Sequence, residues 1–292
     1  MLKKIITKIS GGIGNQLFQT AFGMSLSKKF NVPLEIDSSS FINYSYHHDP
    51  EIQKLDLGLK INNTPELNNQ SGIFVLKEGL ISGLDQITGF PDECEILIID
   101  GYWQSESFFY KEIIDEIYKK LRDKYDSHNF EKIISNTSFS DGIAIHIRRR
   151  DYAHMGVASE EYYLAASQFI REKYGSHEIA IFSDEPNYSM HFLQSNGIQN
   201  LKRIATGDDW QDLYLMSKFK NIIIGNSTYS WWGAFFDDIA QQKLIVCPDP
   251  WVLVDQSIKP CPSHWLKIQG AVEPRLINQQ KKQLFLDNLR RM

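Results

Sequence analysis

The feature that most constrains this sequence is the order of elements at its start. An apolar strand is predicted at residues 4–9, followed by a glycine-rich turn at 10–14. A helical pattern then runs to Phe30, and a second strand is predicted at 33–37. Because a strand–helix–strand unit joins parallel strands, the sequence predicts an α/β fold built on parallel sheets.

The second half of the chain continues the alternation and predicts a doubly wound sheet. A length of 292 residues exceeds that of a usual single domain, so we predict two Rossmann-like domains, 1–138 and 139–292. Residues 41–72 are interpreted as mostly loop. The other predicted elements are strands at 73–76, 96–99, 143–147, 179–182, 222–224 and 244–247, and helices at 107–125, 161–173, 187–194, 209–218, 228–239 and 275–292.

Charge and composition exclude several classes of protein. The net charge of −5 argues against a general nucleic-acid binder, which should be basic. The three cysteines, Cys94, Cys247 and Cys261, lack metal-site spacing, so we predict reduced structural thiols. No apolar run is long enough to span a membrane, and the apolar part of the N-terminus is too short for a signal peptide. A cytoplasmic protein is expected.

Four motifs follow predicted strands, where ligands bind in sheets of this type. The first is GGIGNQ, residues 11–16. Its glycines would let the backbone approach a ligand, and Asn15 and Gln16 could bond sugar or phosphate oxygens. A tight strand-to-helix turn is the alternative, since Leu17 stands where a dinucleotide fingerprint needs its third glycine.

The second motif is HIRRRD, residues 146–151, which contains three adjacent arginines. Strand alternation places His146 and Arg148 on one face. Arginines at the end of a buried strand favour an anionic ligand, because guanidinium binds phosphate through paired hydrogen bonds. A charged loop paired with Asp151 is the weaker alternative.

The third and fourth motifs are FSDE at 182–185 and GNSTYSWWGA at 225–234. Asp184 could accept hydrogen bonds from a ribose or a base, although a helix cap before Pro186 explains it almost equally well. Ser227 and Thr228 would open a helix whose N–H groups suit a diphosphate. Trp231 and Trp232 are interpreted as anchors of that helix against the sheet.

These motifs, together with GYWQS at 101–105, resemble the α-1,2-fucosyltransferases of glycosyltransferase family 11. The resemblance implies a GT-B-like fold with two Rossmann-like domains facing a cleft, the first on the acceptor side and the second binding the donor. It implies inverting transfer of L-fucose from GDP-β-L-fucose to an oligosaccharide or glycolipid acceptor. The 2-hydroxyl of a terminal β-galactoside is the family's common acceptor.

The resemblance also implies residue roles. His146 and Asp184 would contact guanine, and Arg148 would hold the β-phosphate with Ser227 or Thr228. The implied catalytic residues are Arg148, Arg149 and Asp151. The implied donor-binding residues are His146, Arg148, Asp184, Asn226, Ser227, Thr228 and Ser230, and those on the sugar and acceptor side are Gly12, Gly14, Asn15 and Gln16. The chain departs from the family at Arg150, where the family usually has glycine.

No metal or other cofactor is expected. The sequence has no Asp-x-Asp triplet, and Arg148 with the helix start at Ser227 could stabilise the departing GDP instead. For the base that accepts the acceptor's proton, Asp151 is slightly favoured over His154 and over the adjacent Glu160 and Glu161, which have the positions of first-turn helix acids.

Three other functions are also compatible with these motifs. The chain could be a transferase for another GDP-sugar, a fucosyltransferase that forms a different linkage, or a nucleotide-sugar-binding protein without activity. The expected setting is synthesis of lipopolysaccharide or another surface glycan, with peripheral membrane association through the basic C-terminal tail as an option.

Overall fold

The computed structural model describes residues 1–42, 50–63, 72–126, 142–150, 156–175 and 178–273. The chain divides into two compact units, Met1–Lys124 and Tyr125–Met292. The predicted domain boundary at 138/139 and the predicted helix at 275–292 lie outside the described residues.

The first unit contains a five-stranded parallel sheet in the order β3-β2-β1-β5-β4. Its strands are β1 (Lys4–Lys8), β2 (Leu34–Asp37), β3 (Lys60–Asn62), β4 (Ile73–Lys77) and β5 (Ile96–Asp100). The two α-helices described between Met1 and Tyr125 are α1 (Ile13–Phe30) and α2 (Lys111–Tyr125).

Helix α1 lies directly against β1. A Cβ at Gly23 would meet the hydroxyl of Thr7 at 2.2 Å, so only glycine permits this approach. Residues on almost every side of α1 are buried, from Ile13 to Leu26. The packing holds the N-terminus of α1 beside the end of β1, where the first motif lies.

The structure differs from the sequence prediction at two places in the first unit. The helix predicted from residue 107 begins at Lys111, because Phe109 is extended (φ −141°, ψ 154°) after a short 3-10 turn at Glu106–Phe108. The region interpreted as mostly loop contains the edge strand β3, which pairs with β2 between Glu35 and Lys60. Lys60 also forms an ion pair with Glu35. Strand β3 is therefore held by pairing with β2, although its sequence lacks the apolar alternation by which strands are predicted.

The second unit contains a six-stranded parallel sheet in the order β12-β11-β10-β6-β8-β9. Its strands are β6 (Ile143–Ile147), β8 (Ile179–Ser183), β9 (Leu201–Arg203), β10 (Asn221–Ile223), β11 (Leu244–Asp249) and β12 (Leu266–Gln269). A separate antiparallel pair joins β7 (Val157–Ala158) and β13 (Val272–Glu273). The α-helices described from Ser159 onward are α3 (Glu160–Tyr174), α4 (Pro186–Ser195), α5 (Asp209–Ser217), α6 (Thr228–Phe235) and α7 (Asp238–Gln241).

Strand β6 lies at the centre of this sheet. Its apolar residues Ile143, Ile145 and Ile147 pack in one buried cluster with Tyr162 of α3 and Phe192 of α4. Burial on both faces is the rule for parallel sheets and explains the near-continuous apolar sequence of β6. The two sheets confirm the predicted α/β class.

The predicted helix 228–239 is wrong in its second half. Helix α6 ends at Phe235, and Asp237 has the left-handed value φ 57° before the short α7 begins. The aromatic anchor is confirmed, because Trp231 and Trp232 are fully buried and the Trp231 indole donates to the carbonyl of Pro260 at 3.0 Å.

The cysteines are buried and free, as predicted. Across the described part of the chain, no helix combines the length and the apolar character needed to cross a bilayer.

Candidate active site

Three of the four motifs lie at the carboxyl ends of neighbouring strands in the second sheet. Strands β10, β6 and β8 are neighbours, and the segments after them carry residues 225–228, 148–150 and 184–185. Ligands of open parallel sheets bind at the carboxyl ends of the strands, which is where these segments lie. The three motifs of the second unit therefore follow neighbouring strands and lie at the same ends of those strands.

Asp184 organises the arginine segment. Its carboxylate accepts the backbone N–H of Arg149 at 3.1 and 3.3 Å and that of Arg150 at 3.1 Å. Its Oδ2 also lies 3.2 Å from Nε of Arg148, whose side chain remains 33% exposed. Asp184 does not cap the following helix, since Glu185 is at the cap position. Asp184 thus bonds the backbone at Arg149 and Arg150, and the Arg148 guanidinium stays partly open to solvent.

The side chain of Arg149 is directed towards α4. Its Nε lies 3.3 Å from the carboxylate of Glu185, and its guanidinium lies 3.9 Å from the ring centre of Tyr188. Tyr188 in turn donates a short hydrogen bond to Glu160, the first residue of α3. These contacts direct the Arg149 side chain into the protein, whereas the Arg148 side chain stays one-third exposed; the catalytic role predicted for both remains a prediction.

His146 is buried at the end of β6, in the row that continues to Arg148. Its ring centre lies 5.5 Å from that of Tyr229. The main-chain carbonyl of His146 accepts the N–H of Gly225 at 3.0 Å and the hydroxyl of Tyr163 at 3.1 Å. A Cβ at Gly225 would meet that hydroxyl at 2.6 Å, so glycine is required where the two motifs touch.

Tyr229 is a site residue that the sequence did not single out. Its hydroxyl donates to the carbonyl of Asp209 at 2.5 Å, which turns its ring towards His146. Burial, followed by the charges of Asp212 and Asp209, raises the pKa of Tyr229 well above its usual range, while Arg148 acts in the opposite sense. The phenol of Tyr229 is therefore neutral. In the sequence, its position within the fourth motif was the only indication that Tyr229 belongs to the site.

The fourth motif opens helix α6 beside the arginine segment. Ser227 is at the N-cap but its side chain makes no capping hydrogen bond, and Thr228 is the first helical residue. The first N–H groups of a helix have no partner within it and carry its positive dipole end. The Ser230 hydroxyl instead donates to the carbonyl of Ser227 at 3.0 Å. Ser227 and Thr228 thus suit an anion, and Ser230 supports their turn.

Asn226 has a structural role in this arrangement. Its side chain is fully buried, its Oδ1 accepts the N–H of Ala158 at 3.2 Å, and its Nδ2 donates to the carbonyl of Gly156 at 2.9 Å. Both ends of the amide are used by the segment that leads into β7. Its predicted direct contact with the donor remains a prediction.

The predicted acceptor-side residues lie in the first unit, at the start of α1. Gln16 is fully buried; its amide donates to the carbonyl of Gly11 at 2.9 Å and accepts the N–H of Ile52 at 3.1 Å.

Asn15 accepts from the side chain of Gln104 at 3.0 Å, which links the first motif to GYWQS. Gly12 is the extended N-cap residue, and a Cβ there would meet nothing within 4 Å. Gly14 is buried in the first turn of the helix.

The candidates for the base divide into two groups. Asp151 and His154 lie outside the described residues. Glu160 and Glu161 lie in the first turn of α3 behind the Ser159 cap, as their alternative reading predicted, and Glu160 bonds Tyr188. Among the described residues, no group of three or more His, Cys, Asp or Glu side chains could hold a metal ion.

The chain matches a known family and curated relatives. The sequence model described as glycosyl transferase family 11 matches residues 78–249, more than half of the chain. An α-1,2-colitosyltransferase of Escherichia coli is 26% identical over 282 residues, which cover 85% of this chain and 92% of that protein. The O-antigen biosynthesis glycosyltransferase WbnK of Escherichia coli is 26% identical over 286 residues, covering 83% and 93%.

The fold is similar to that of solved transferases. The α-1,6-fucosyltransferase NodZ, co-crystallised with GDP, aligns with a TM-score of 0.51 and 14% identity over 81% of this chain and 93% of its own. The NodZ structure from Bradyrhizobium aligns with a TM-score of 0.50 and 14% identity, covering 81% and 94%. These similarities confirm the predicted GT-B-like class with two Rossmann-like units.

Proposed function

Because the chain belongs to glycosyltransferase family 11 and is therefore a glycosyltransferase, we propose that it transfers L-fucose from GDP-β-L-fucose, with inversion, to a glycan hydroxyl. The proposed hydroxyl is the 2-OH of a terminal β-galactoside. The C1–O bond to the β-phosphate breaks and its electron pair leaves with GDP. A new C1–O bond forms, and the acceptor's proton passes to a base or to solvent.

One observation carries the proposal. The partly exposed guanidinium of Arg148 is held by Asp184 at the edge of the sheet where helix α6 begins with Ser227 and Thr228. A fixed arginine and a helix N-terminus at one place form a site for a diphosphate. His146 and Tyr229 lie beside it, with ring centres 5.5 Å apart, and we propose that their rings contact the nucleotide.

The same groups support catalysis without a metal. Negative charge grows on the GDP oxygens as the bond to fucose breaks, and donors already in place stabilise that charge best. Arg148 supplies a permanent positive charge, since guanidinium does not deprotonate in proteins. We propose that Arg148 and the first N–H groups of α6 act in place of a divalent cation. No cofactor is required.

Calorimetry on the full chain with EDTA present tests this site. We expect GDP to bind with a Kd in the micromolar range, about −8 kcal/mol, and Arg148→Ala to weaken binding at least about tenfold. Arg171→Ala, in the last turn of α3, is a matched control that should leave GDP affinity unchanged. Absence of GDP binding, or binding only with a divalent cation, would contradict the proposal.

A second donor is favoured by one of the relatives. The Escherichia coli relative named for α-1,2-colitosyl transfer is similar over most of both chains. Colitose is L-fucose without its 3-hydroxyl, so both donors present the same diphosphate to Arg148. A site that hydrogen-bonds the 3-hydroxyl rejects the deoxy donor by a factor of about 10⁴ or more, because its polar groups would be left unpaired. Comparing kcat/KM for GDP-fucose and GDP-colitose decides between them, with GDP-mannose as control.

The acceptor is proposed from the relatives and the family. One relative is named for O-antigen biosynthesis, which supports a lipopolysaccharide glycan as the acceptor. Incubation with GDP-fucose and lactose, followed by NMR of the product, tests the linkage. An α-linked fucose on the galactose 2-oxygen is expected; attachment at another oxygen would contradict the linkage while retaining the transferase.

A further inference from the structure

A cavity opens at the carboxyl end of the first sheet. Its volume is about 640 Å³, within the range of small-ligand sites. It lies at the ends of β1, β2 and β5, and its lining includes Asp37, Asp100 and Tyr102. The strand order changes direction between β1 and β5, and such a switch point is where parallel sheets bind ligands.

The wall of the cavity contains a carboxylate with one oxygen that is not hydrogen-bonded to the described residues. Asp37 is the last residue of β2 and is only 6% exposed. Its Oδ1 accepts the N–H of Ser39 at 2.9 Å, and within the described residues its Oδ2 makes no hydrogen bond. Because this oxygen is open to the cavity and has no partner there among the described residues, it can accept hydrogen bonds from a ligand that carries hydroxyl or N–H groups.

The charges around the cavity select among ligands. Asp100 lies 3.2 Å from the ammonium of Lys8, so the charges of this pair cancel. The remaining charge of Asp37 makes the cavity lining negative overall. That charge disfavours phosphate and nucleotide ligands. A metal ion is disfavoured as well, because these carboxylates belong to no group of three metal-binding side chains in the described residues. A neutral polyhydroxylated ligand fits both conditions.

A strained turn directs an aromatic ring to the same place. Trp103 is fully buried and has φ 58°, a left-handed conformation that is rare for a bulky residue. The carboxylate of Glu78 accepts the N–H of Tyr102 at 2.7 Å and that of Trp103 at 2.8 Å. Trp103 also packs on Phe22, with ring centres 4.4 Å apart. The turn leaves the Tyr102 side chain 43% exposed at the cavity.

The cavity is built by the two first-unit motifs together. The side chain of Gln19 accepts the N–H of Ser10 at 3.0 Å and donates to the carbonyl of Gly101 at 3.2 Å. Gln19 is itself buried at the cavity wall, so it joins the glycine turn after β1 to the turn after β5. The turn that begins the first motif and the turn that begins GYWQS thus form the frame of the cavity.

We propose that this cavity binds a neutral pyranose, the terminal sugar of the acceptor, through Asp37 and Tyr102. Asp37 accepts hydrogen bonds from the sugar hydroxyls, and the exposed ring of Tyr102 packs against the apolar face of the pyranose. The inference rests on the proposed function, in which the donor occupies the second unit. It assigns acceptor recognition to residues that lie outside the arginine site.

Saturation-transfer NMR on the full chain tests the proposal without a donor. The probes are methyl β-D-galactopyranoside, methyl β-D-glucopyranoside and methyl N-acetyl-β-D-glucosaminide. We expect at least one to bind, and Tyr102→Ala and Asp37→Asn each to weaken it about tenfold or more. Tyr174→Ala is the matched control, a tyrosine of similar exposure (48%) on α3, and should leave sugar binding unchanged.

Failure of this inference is distinguishable from failure of the proposed function. Each variant is also titrated with GDP, which reports folding and the second unit; Tyr102→Ala should bind GDP like the wild type. Wild-type protein that binds GDP but none of the three sugars overturns the cavity assignment, as does sugar binding that survives both substitutions. Wild-type protein that binds a sugar but not GDP supports the cavity and contradicts the donor proposal.

Discussion

The carboxylate of Asp184 lies 3.2 Å from Nε of Arg148. The same carboxylate accepts the backbone N–H groups of Arg149 and Arg150. One acidic side chain just after β8 thus contacts the side chain of Arg148 and also bonds the backbone of the two residues that follow it. The two strands are neighbours in register, with His146 opposite Phe182, and this pairing brings the motifs together.

The first prediction follows from this relationship. Asp184→Asn removes the charge opposite Arg148 and leaves one acceptor oxygen for two backbone N–H groups. Hydrogen bonds to charged groups contribute about 1.5–3 kcal/mol, so we expect GDP affinity to fall about 10- to 100-fold. Calorimetry with GDP measures the change. Unaltered affinity in Asp184→Asn would show that Arg148 needs no such support.

A base analogue separates this supporting role from the contact with guanine that the family resemblance implies. Inosine diphosphate lacks the 2-amino group of GDP but keeps the diphosphate. If Asp184 acts only through the arginine segment, its substitution weakens GDP and inosine diphosphate by the same factor. If it also accepts from the 2-amino group, the substitution weakens GDP more strongly. The ratio of the two affinities in each protein is the measurement.

The second prediction concerns turnover by Arg148→Lys. Lysine keeps the positive charge but not the planar guanidinium whose Nε meets Asp184. Removing one fixed donor to a departing oxyanion costs about 3–4 kcal/mol in the barrier. We expect kcat for GDP-fucose transfer to fall about 10²- to 10³-fold while GDP affinity falls less. Weaker GDP-fucose binding with an unchanged kcat would place the role of Arg148 in ground-state binding.

The third prediction separates two adjacent residues of the fourth motif. Asn226→Ala deletes two buried hydrogen bonds, to Gly156 and Ala158, and leaves both backbone groups without partners. We expect a loss of about 2–4 kcal/mol in the free energy of unfolding. Ser227→Ala removes a hydroxyl that makes no capping bond, so stability should change little while GDP affinity falls. Urea unfolding and calorimetry on both variants test this contrast; similar stability losses would contradict it.

Much of the fold and the gathering of the second-unit motifs follow from the sequence, because parallel strands are apolar and end at turn residues. Strand β6 was predicted with its observed bounds, Ile143–Ile147. Edge strands such as β3 and β9 (Leu201–Arg203) are short and polar, and they are held by partners distant in sequence, so no local pattern predicts them. The break in α6 depends on the left-handed Asp237, a conformation that composition does not specify.

Residue roles within the site were less predictable than its location. The pattern HIRRR does not show that Arg148 and Arg149 turn to different partners, Asp184 and Glu185. The family resemblance implied that Asn226 binds the donor, but it did not show that the side-chain amide bonds backbone groups about 70 residues earlier. Such assignments depend on three-dimensional neighbours, and a single sequence does not supply them.

The fourth prediction concerns pH and Lys243, whose ammonium donates to the carbonyls of Ser217, Ala234 and Phe236 near the ends of α5 and α6. Burial lowers the pKa of Lys243 from 10.5 to about 7. Between these values the unfolded chain binds more protons than the folded chain, so the free energy of unfolding should rise with pH. Urea unfolding at pH 7 and pH 9 measures the slope. Lys243→Met should reduce the slope; an unchanged slope would assign it to other groups.

The fifth prediction concerns Glu78, which lies behind the cavity of the first unit. Its two oxygens accept the N–H groups of Tyr102 and Trp103, and Trp103 has the left-handed value φ 58° in this turn. Glu78→Gln replaces one acceptor with an amide donor, so one N–H loses its partner and the Tyr102 ring is displaced. We expect KM for the acceptor to rise several-fold while GDP affinity, measured by calorimetry, stays unchanged. Glu112→Gln, an exposed glutamate at the start of α2, is the control, since its partner is the exposed Lys28. A fall in kcat with an unchanged acceptor KM would mean that the turn acts on the reaction and not on sugar binding.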